Sequence, residues 1–227
     1  MNDVVIRDVE ARDVPGIKKV ICEVWDWVSI IEDKEILDAT IGLYLNQVLY
    51  EGTFGRVAVL DDKVVGVIFG SVDGVEPKYR MLLEDGTVHA FTLLGASETV
   101  RKSIHEYFSK LRDVYGRLVK GIEGDYDGTL DFLILGRDAQ GLGIGKSLWL
   151  ALKAYFLENN ANAVYLYSDT DCNFGFYESQ GFKRKRELET TFIFEGTPYV
   201  TNQFLYEYHL SSKNEDGGAG NGKKGSV

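Results

Sequence analysis

The segment Gln140-Gly141-Leu142-Gly143-Ile144-Gly145-Lys146-Ser147 constrains this chain more than any other, because it sets three glycines between an apolar run and a helical pattern. The run is Leu130 to Leu135. The pattern is Leu148, Trp149, Leu152, Tyr155 and Phe156, whose spacing predicts a helix ending near Asn159-Asn160. Where a strand turns through glycines into a helix, backbone N–H groups approach an anion without Cβ obstruction, and the helix dipole favours phosphate there. Two nucleotide-type readings fail on required residues. A GxxxxGK[ST] loop is matched by Gly145, Lys146 and Ser147 but needs glycine where Gln140 stands, and GxGxxG started at Gly141 and Gly143 needs glycine where Lys146 stands. A third pattern, [Gln/Arg]-x-x-Gly-x-[Gly/Ala], is met by Gln140, Gly143 and Gly145.

The rest of the chain supplies a mixed α/β frame. Val4 to Ile6 reads as an opening strand, followed by a helix capped at Asp13 with Pro15 in its first turn and running toward Trp27. A second helix is expected from Asp33 to Gln47, then a hairpin of Arg56 to Leu60 and Val64 to Val72 around Asp61-Asp62-Lys63. The stretch 73–127 is less regular, but Ser97 to Ile122 carries an apolar helical face, which covers the acceptor side of a site or packs on a second subunit as a homodimer. Ala163 to Tyr167 gives another strand, Asn173 to Gln180 a short helix closed by Gly181, and two strands near 184–194 and 199–210 complete the pattern. Residues 211–227, with five glycines and three lysines, are expected to be a disordered tail.

Composition excludes several roles. With 25 Lys+Arg against 35 Asp+Glu the net charge is −10, a field that repels nucleic-acid phosphates and anionic membrane surfaces and draws cations. No secretory pattern opens the sequence and no run of ~18 apolar residues occurs, so a cytoplasmic location is expected. Cys22 and Cys172 are too few for a disulfide framework, and His89, His105 and His209 are scattered. No metal is expected: Glu123 to Gly128 resembles the start of a calcium loop, but Ile134 stands where that loop needs a bidentate glutamate.

The glycine turn, the preceding Leu133 to Leu135 and the later Asn173-Phe174-Gly175-Phe176-Tyr177-Glu178-Ser179-Gln180-Gly181-Phe182, which is similar to an FYxxxGF segment, together resemble the GNAT superfamily of acetyl-CoA-dependent N-acetyltransferases. The resemblance covers roughly residues 4–210. It implies one α/β (α+β) domain over residues 1–210, with a mostly antiparallel central sheet flanked by helices. The departure is a helical insertion, about 73–127, between strands three and four.

The resemblance also implies site roles. Gly141, Leu142, Gly143, Ile144, Gly145, Lys146 and Ser147, with Gln140, would hold the coenzyme A pyrophosphate mostly by backbone donors. Leu133, Ile134 and Leu135 on strand four would meet the pantetheine arm as an added strand would, with the amide of Leu135 or its neighbour steadying charge on the acetyl oxygen. Asn173 and Phe176 would face the coenzyme, Asn173 alternatively serving as a plain helix cap. Tyr177 aligns with a general acid for the leaving thiolate, or alternatively packs beside Phe176 and Phe182. A base must take the amine's proton, and Asp131, Glu123, Asp125 and Asp127 are the candidates. The acceptor is expected to be a small-molecule or peptide amine, cationic in character. Trp25, Trp27, Tyr44 and Phe54 are candidates for an acceptor wall or ordinary core, and Cys172 is expected to be a bystander. Rivals are a noncatalytic acyl-CoA-binding module and a nucleotide-dependent phosphotransferase.

Overall fold

The computed structural model describes residues 4–25, 31–194 and 197–210, so the expected tail and Trp27 lie outside the described residues. Seven strands form one sheet in the order β1-β2-β3-β4-β5-β7-β6, built from β1 Val5–Asp8, β2 Phe54–Leu60, β3 Lys63–Val72, β4 Gly128–Leu135, β5 Ala163–Asp169, β6 Lys183–Phe194 and β7 Thr197–His209. Every neighbouring pair is antiparallel except β4 with β5. The β2–β3 hairpin turns on Asp61 and Asp62, both at positive φ (49° and 59°), a conformation that short polar side chains tolerate.

Helices α1 Val14–Trp25 and α2 Lys34–Glu51 cover one face of β2, β3 and β4, where Ile17, Ile21, Ile41, Leu45, Leu49, Val67 and Phe69 are fully buried. Asp33 caps α2 with its carboxylate on the N–H groups of Glu35 and Ile36. Asp13, expected to cap α1, instead turns its carboxylate back to the preceding segment. A 3-10 turn at Ala11–Asp13 precedes α1, and the buried Asp13 carboxylate accepts from Glu10 N–H at 2.8 Å and from both Arg7 Nη atoms at 2.7 Å. The other face carries α5 Ile144–Glu158, whose Leu148, Trp149, Leu152 and Phe156 pack on Ile68, Val164, Leu166 and Phe204.

The insertion between β3 and β4 holds two helices, α3 Gly86–Leu94 and α4 Glu98–Val119. Its start is pinned to α1 and α2 through Glu84. Lys18 Nζ reaches Glu84 at 2.9 Å and Asp38 at 2.7 Å, His89 Nε2 lies 3.1 Å from Glu84, and Asn46 exchanges two 2.9 Å hydrogen bonds with the Glu84 main chain. α4 then crosses the molecule. Val100 and Ile104 pack on the α1/α2 core, whereas Val114 and Leu118 are buried against β5 and β7 with Tyr126, Ala163 and Leu205. Tyr115 stacks on Tyr167 at 4.0 Å, Arg186 donates to the carbonyls of Leu118 and Lys120, and Lys110 donates to Thr191 C=O. The apolar face of α4 is thus taken up within the chain. Among the described residues no helix is long and apolar enough to cross a membrane.

Candidate active site

β4 keeps β3 as its partner along its whole length, from Gly66↔Leu135 to Val72↔Gly128, but meets β5 only at Gly128↔Val164 and Thr129↔Tyr165. Beyond Thr129 the two strands part, while β5 remains paired with β7 as far as Asp169↔Gln203. Gly136 N–H donates to Val65 C=O at 2.8 Å. Main-chain groups alternate sides along a strand, so those of Leu133 and Leu135 point away from β3 into the opening, and those of Ile134 are turned to β3. The opening thus offers two sets of main-chain donors and acceptors to a ligand that pairs like a strand.

The glycine turn stands at the end of this opening. Gly141 and Gly143 have φ of 78° and 76°, and a Cβ added to either would meet nothing within 4 Å, so the turn is left-handed and bare on its outer side. Gly143 begins α5, whose first-turn N–H groups have no intrahelical acceptors. Ser147 N–H and Oγ both return to Gly143 C=O, at 3.1 and 3.2 Å, which engages the hydroxyl in closing the turn. Gln140, Leu142 and Lys146 are exposed, whereas the Ile144 side chain is buried in the core. At Gly145 the close approach runs inward: a Cβ would lie 3.0 Å from Leu135 and 3.5 Å from Phe176, so the end of β4, the start of α5 and α6 Phe174–Ser179 meet there.

Asn173 precedes α6 without any side-chain capping bond and is exposed. Tyr177 is half-buried, its ring centroid 5.5 Å from Phe176, 5.8 Å from Phe182 and 6.3 Å from Tyr206. Burial pushes its phenol well above the usual range, with Cys172 and Asp169 adding to the effect, so it stays protonated. Cys172 is exposed as a residue, yet desolvation at its thiol, with Asp169, pushes it up to about 12. A thiol held in its neutral form is a poor nucleophile.

Of the four candidate bases, the fold separates one from the rest. Asp127 sits where β4 and β5 are still joined, and its carboxylate accepts from Asn162 N–H (2.6 Å) and Ala163 N–H (3.1 Å), bonds that hold its pKa below the usual range. Glu123 accepts from Gly121 N–H, and both it and Asp125 are exposed in the loop before β4. Asp131 lies at the vertex of the opening. The β3–β4 register passes from Phe69↔Phe132 to Gly70↔Leu130, leaving Asp131 as the extra residue of a bulge. Ser71 Oγ donates to its Oδ1 at 3.1 Å, and its Oδ2 is buried with no partner. Burial raises the carboxyl to about 7, opposed by Ser71 and assisted by Glu51 and Asp73.

This gives a pH-dependent stability. A carboxyl raised from 3.8 to about 7 in the fold binds more protons there than in the unfolded chain, so its contribution is complete below its ordinary range and lost as pH rises through that window. Asp131→Asn is expected to match the wild type in thermal unfolding at about pH 3, to exceed it already at about pH 5 and to exceed it at about pH 8 by on the order of 4 kcal/mol. Equal unfolding temperatures at pH 8 would show that the carboxyl is not strained.

Aromatic rings line the side of the opening away from α5. Trp25, Tyr44 and Phe132 pack edge to face, with centroids 4.9 to 5.7 Å apart, and Phe108 of α4 stacks on Tyr44 at 6.5 Å. The Tyr44 phenol is pushed up mainly by burial and raised further by Tyr107, Cys172, Asp131 and Tyr177. Phe54 is the exception among the expected wall residues. It lies on the opposite face against Tyr155 of α5, at 4.9 Å, because β2 alternates and its other side faces α2. Sequence reasoning missed Ser71, Asp169 and the aromatic pair Tyr107–Phe108. The pair was legible only as part of a helical stripe, and Ser71 had no signal.

Among the described residues no three His, Cys, Asp or Glu side chains gather as a metal site. Residues 85–203 match the family model described as an acetyltransferase (GNAT) domain. No curated protein sequence matches the chain. Among solved structures, it is similar to PH1933 from Pyrococcus horikoshii OT3 (15% identity, TM-score 0.53, 92% of this chain and 100% of that one). It is also similar to a ribosomal-protein-alanine N-acetyltransferase from Brucella melitensis (15%, 0.51, 91% and 99%) and an N-acetyltransferase from Staphylococcus aureus Mu50 (12%, 0.50, 92% and 99%). At these identities the likeness is one of fold.

Proposed function

The chain belongs to the GNAT acetyltransferase family, and on that premise we propose that it moves an acetyl group from acetyl-CoA to a primary amine by direct attack in a ternary complex. Residues 1–210 would act as one catalytic unit. The observation that carries the reading is the junction of two features: strands that part beyond Thr129, and a bare left-handed turn at the end of the same opening. The turn suits a diphosphate because its outer side is free of side chains and the first amides of α5 have no intrahelical acceptor. When bound, acetyl-CoA supplies an activated thioester carbonyl.

The backbone of Gly141 to Lys146 would grip the diphosphate, with Ser147 closing the turn and exposed Gln140 and Lys146 at its edge, and Leu133 and Leu135 would pair with the pantetheine arm. Asn173 and Phe176 would border the arm from α6. Leu133 N–H, the nearer of the two to Asp131, would face the acetyl oxygen and steady charge there. Asp131 would take one proton of the ammonium to free the attacking amine; as C–N forms and C–S breaks, Tyr177 would give its proton to the departing thiolate and the nitrogen would lose its second proton to solvent. Both groups return to their starting states through solvent, and the net yield is amide, free thiol and one proton. In water a phenol near pKa ~10 is about 2 kcal/mol short of protonating a thiolate near ~8.5. Burial lifts Tyr177 further, but the same dry surroundings lift the thiol, which narrows the gap again.

Calorimetry with acetyl-CoA and, separately, with ATP and magnesium tests the reading, followed by thiol release when a primary amine is added. Acetyl-CoA should bind one to one and ATP should neither bind nor compete. ATP binding without acetyl-CoA binding would overturn the proposal in favour of phosphotransfer.

A further inference from the structure

Helix α6, which carries Tyr177, spans six residues, and Asn173 before it makes no side-chain capping bond. So short a helix does not hold itself in water, and its place is set by what it is fastened to. Phe174 at its start packs edge to face on Phe204 of β7, with centroids 5.4 Å apart. Beyond its end, Phe182 N–H donates back to Tyr177 C=O at 3.1 Å.

A third fastening is charged and comes from β6. The Arg184 guanidinium lies over the Phe204 ring at 3.9 Å and stands 5.3 Å from the Phe174 centroid. It donates to Tyr206 Oη at 2.9 and 3.1 Å and to Glu178 Oε1 at 3.2 Å, while Glu187 Oε2 accepts from its other terminal nitrogen at 3.1 Å. The buried Tyr206 hydroxyl donates in turn to the same Glu178 oxygen, at 2.7 Å. One side chain thus reaches both ends of α6, at Phe174 and at Glu178, and ties them to Phe204 and Tyr206 on one face of β7. Glu178 directly follows Tyr177, whose ring stands 6.3 Å from that of Tyr206. A planar fork stacked on a ring and bonded along its edge fixes orientation as well as distance, which a lysine ammonium does not.

We propose that Arg184, through Glu178 and Tyr206, is a positioning residue that sets where the Tyr177 hydroxyl stands when it gives its proton to the departing thiolate. This rests on the general-acid reading above, and Arg184 itself meets no reacting atom. The demand on position is steep, since a displacement of about 1 Å can cost about 10²-fold in rate.

The test measures thiol release with methylamine, spermidine and a lysine-rich peptide, and then follows the one that the wild type uses fastest. Arg184→Leu should lower kcat about 10- to 100-fold, with amine KM and acetyl-CoA affinity each moving by no more than about threefold. Arg184→Lys, which keeps the charge but not the fork, should recover only part of the loss. In a Tyr177→Phe background Arg184→Leu should cost nothing further, the non-additivity of groups that act as one unit. If Arg184→Leu does not fold, Glu178→Gln makes the same comparison, with an expected loss of about tenfold that again vanishes without the Tyr177 hydroxyl. Unchanged kcat in the folded variant, or the same loss with and without that hydroxyl, would overturn the positioning role. Unchanged kcat in Tyr177→Phe alone would overturn the general-acid reading beneath it, and no thiol release with any of the three amines would overturn acetyl transfer to such amines.

Discussion

Gly143→Val is expected to weaken acetyl-CoA binding by at least about 100-fold while the protein remains folded. Two effects combine. Gly143 has φ 76° and ψ 0°, a left-handed conformation that costs a side chain about 1–2 kcal/mol and is least accessible to a β-branched one. The new methyls also fill the empty space over the turn, which is where a diphosphate would have to lie to reach the first-turn amides of α5. Losing two hydrogen bonds to a charged group, at about 1.5–3 kcal/mol each, accounts for a fall of that size. Calorimetry reads the affinity, and circular dichroism reports whether α5 has survived. A folded variant with wild-type affinity would show that the coenzyme is held elsewhere.

Tyr177→Phe should lower kcat by about 10²–10⁴-fold, the range for loss of a positioned proton donor, with acetyl-CoA affinity changed by no more than about twofold. The substitution keeps the ring and hence its contacts with Phe176 and Phe182, so the folded structure has little reason to change. A residue that served packing alone would show the reverse outcome: unaltered kcat in the phenylalanine variant. Comparing kcat with thermal stability in the same preparation separates these cases. Tyr177 differs in this from Gly143, whose loss is expected in binding rather than in turnover.

The half proposed to hold the coenzyme was readable in the sequence because its determinants are local. The glycine turn, the apolar run before it and the Asn173 to Phe182 segment each depend on neighbours within a few residues, and each lies in the expected element. The acceptor half was harder to read for physical reasons. The bulge at Asp131 exists only in the pairing of β4 with β3, so the sequence of β4 shows an ordinary strand. In α3 the periodicity misleads: His89 is buried on Glu84 while Phe91 is 70% exposed, so apolar spacing does not mark the packed face. Helix α4 was visible from its stripe, but that stripe could not say that its two ends serve different cores. Lys18, 7% exposed on α1, is another residue whose place is set by a distant partner rather than by its own periodicity.

The two ends of the insertion have a consequence for how such a protein can diverge. Val72 and Gly128 are register partners, and Asp73 N–H bonds Asp127 C=O at 2.9 Å, so everything from α3 to α4 departs from and returns to a single rung of the ladder. Lengthening a loop whose ends are already joined adds little closure entropy. A change in its length is therefore cheap at the rung itself, but Tyr79, Val114 and Leu118 are buried in the cores, so any replacement segment must supply that packing again before it can re-shape the proposed acceptor wall.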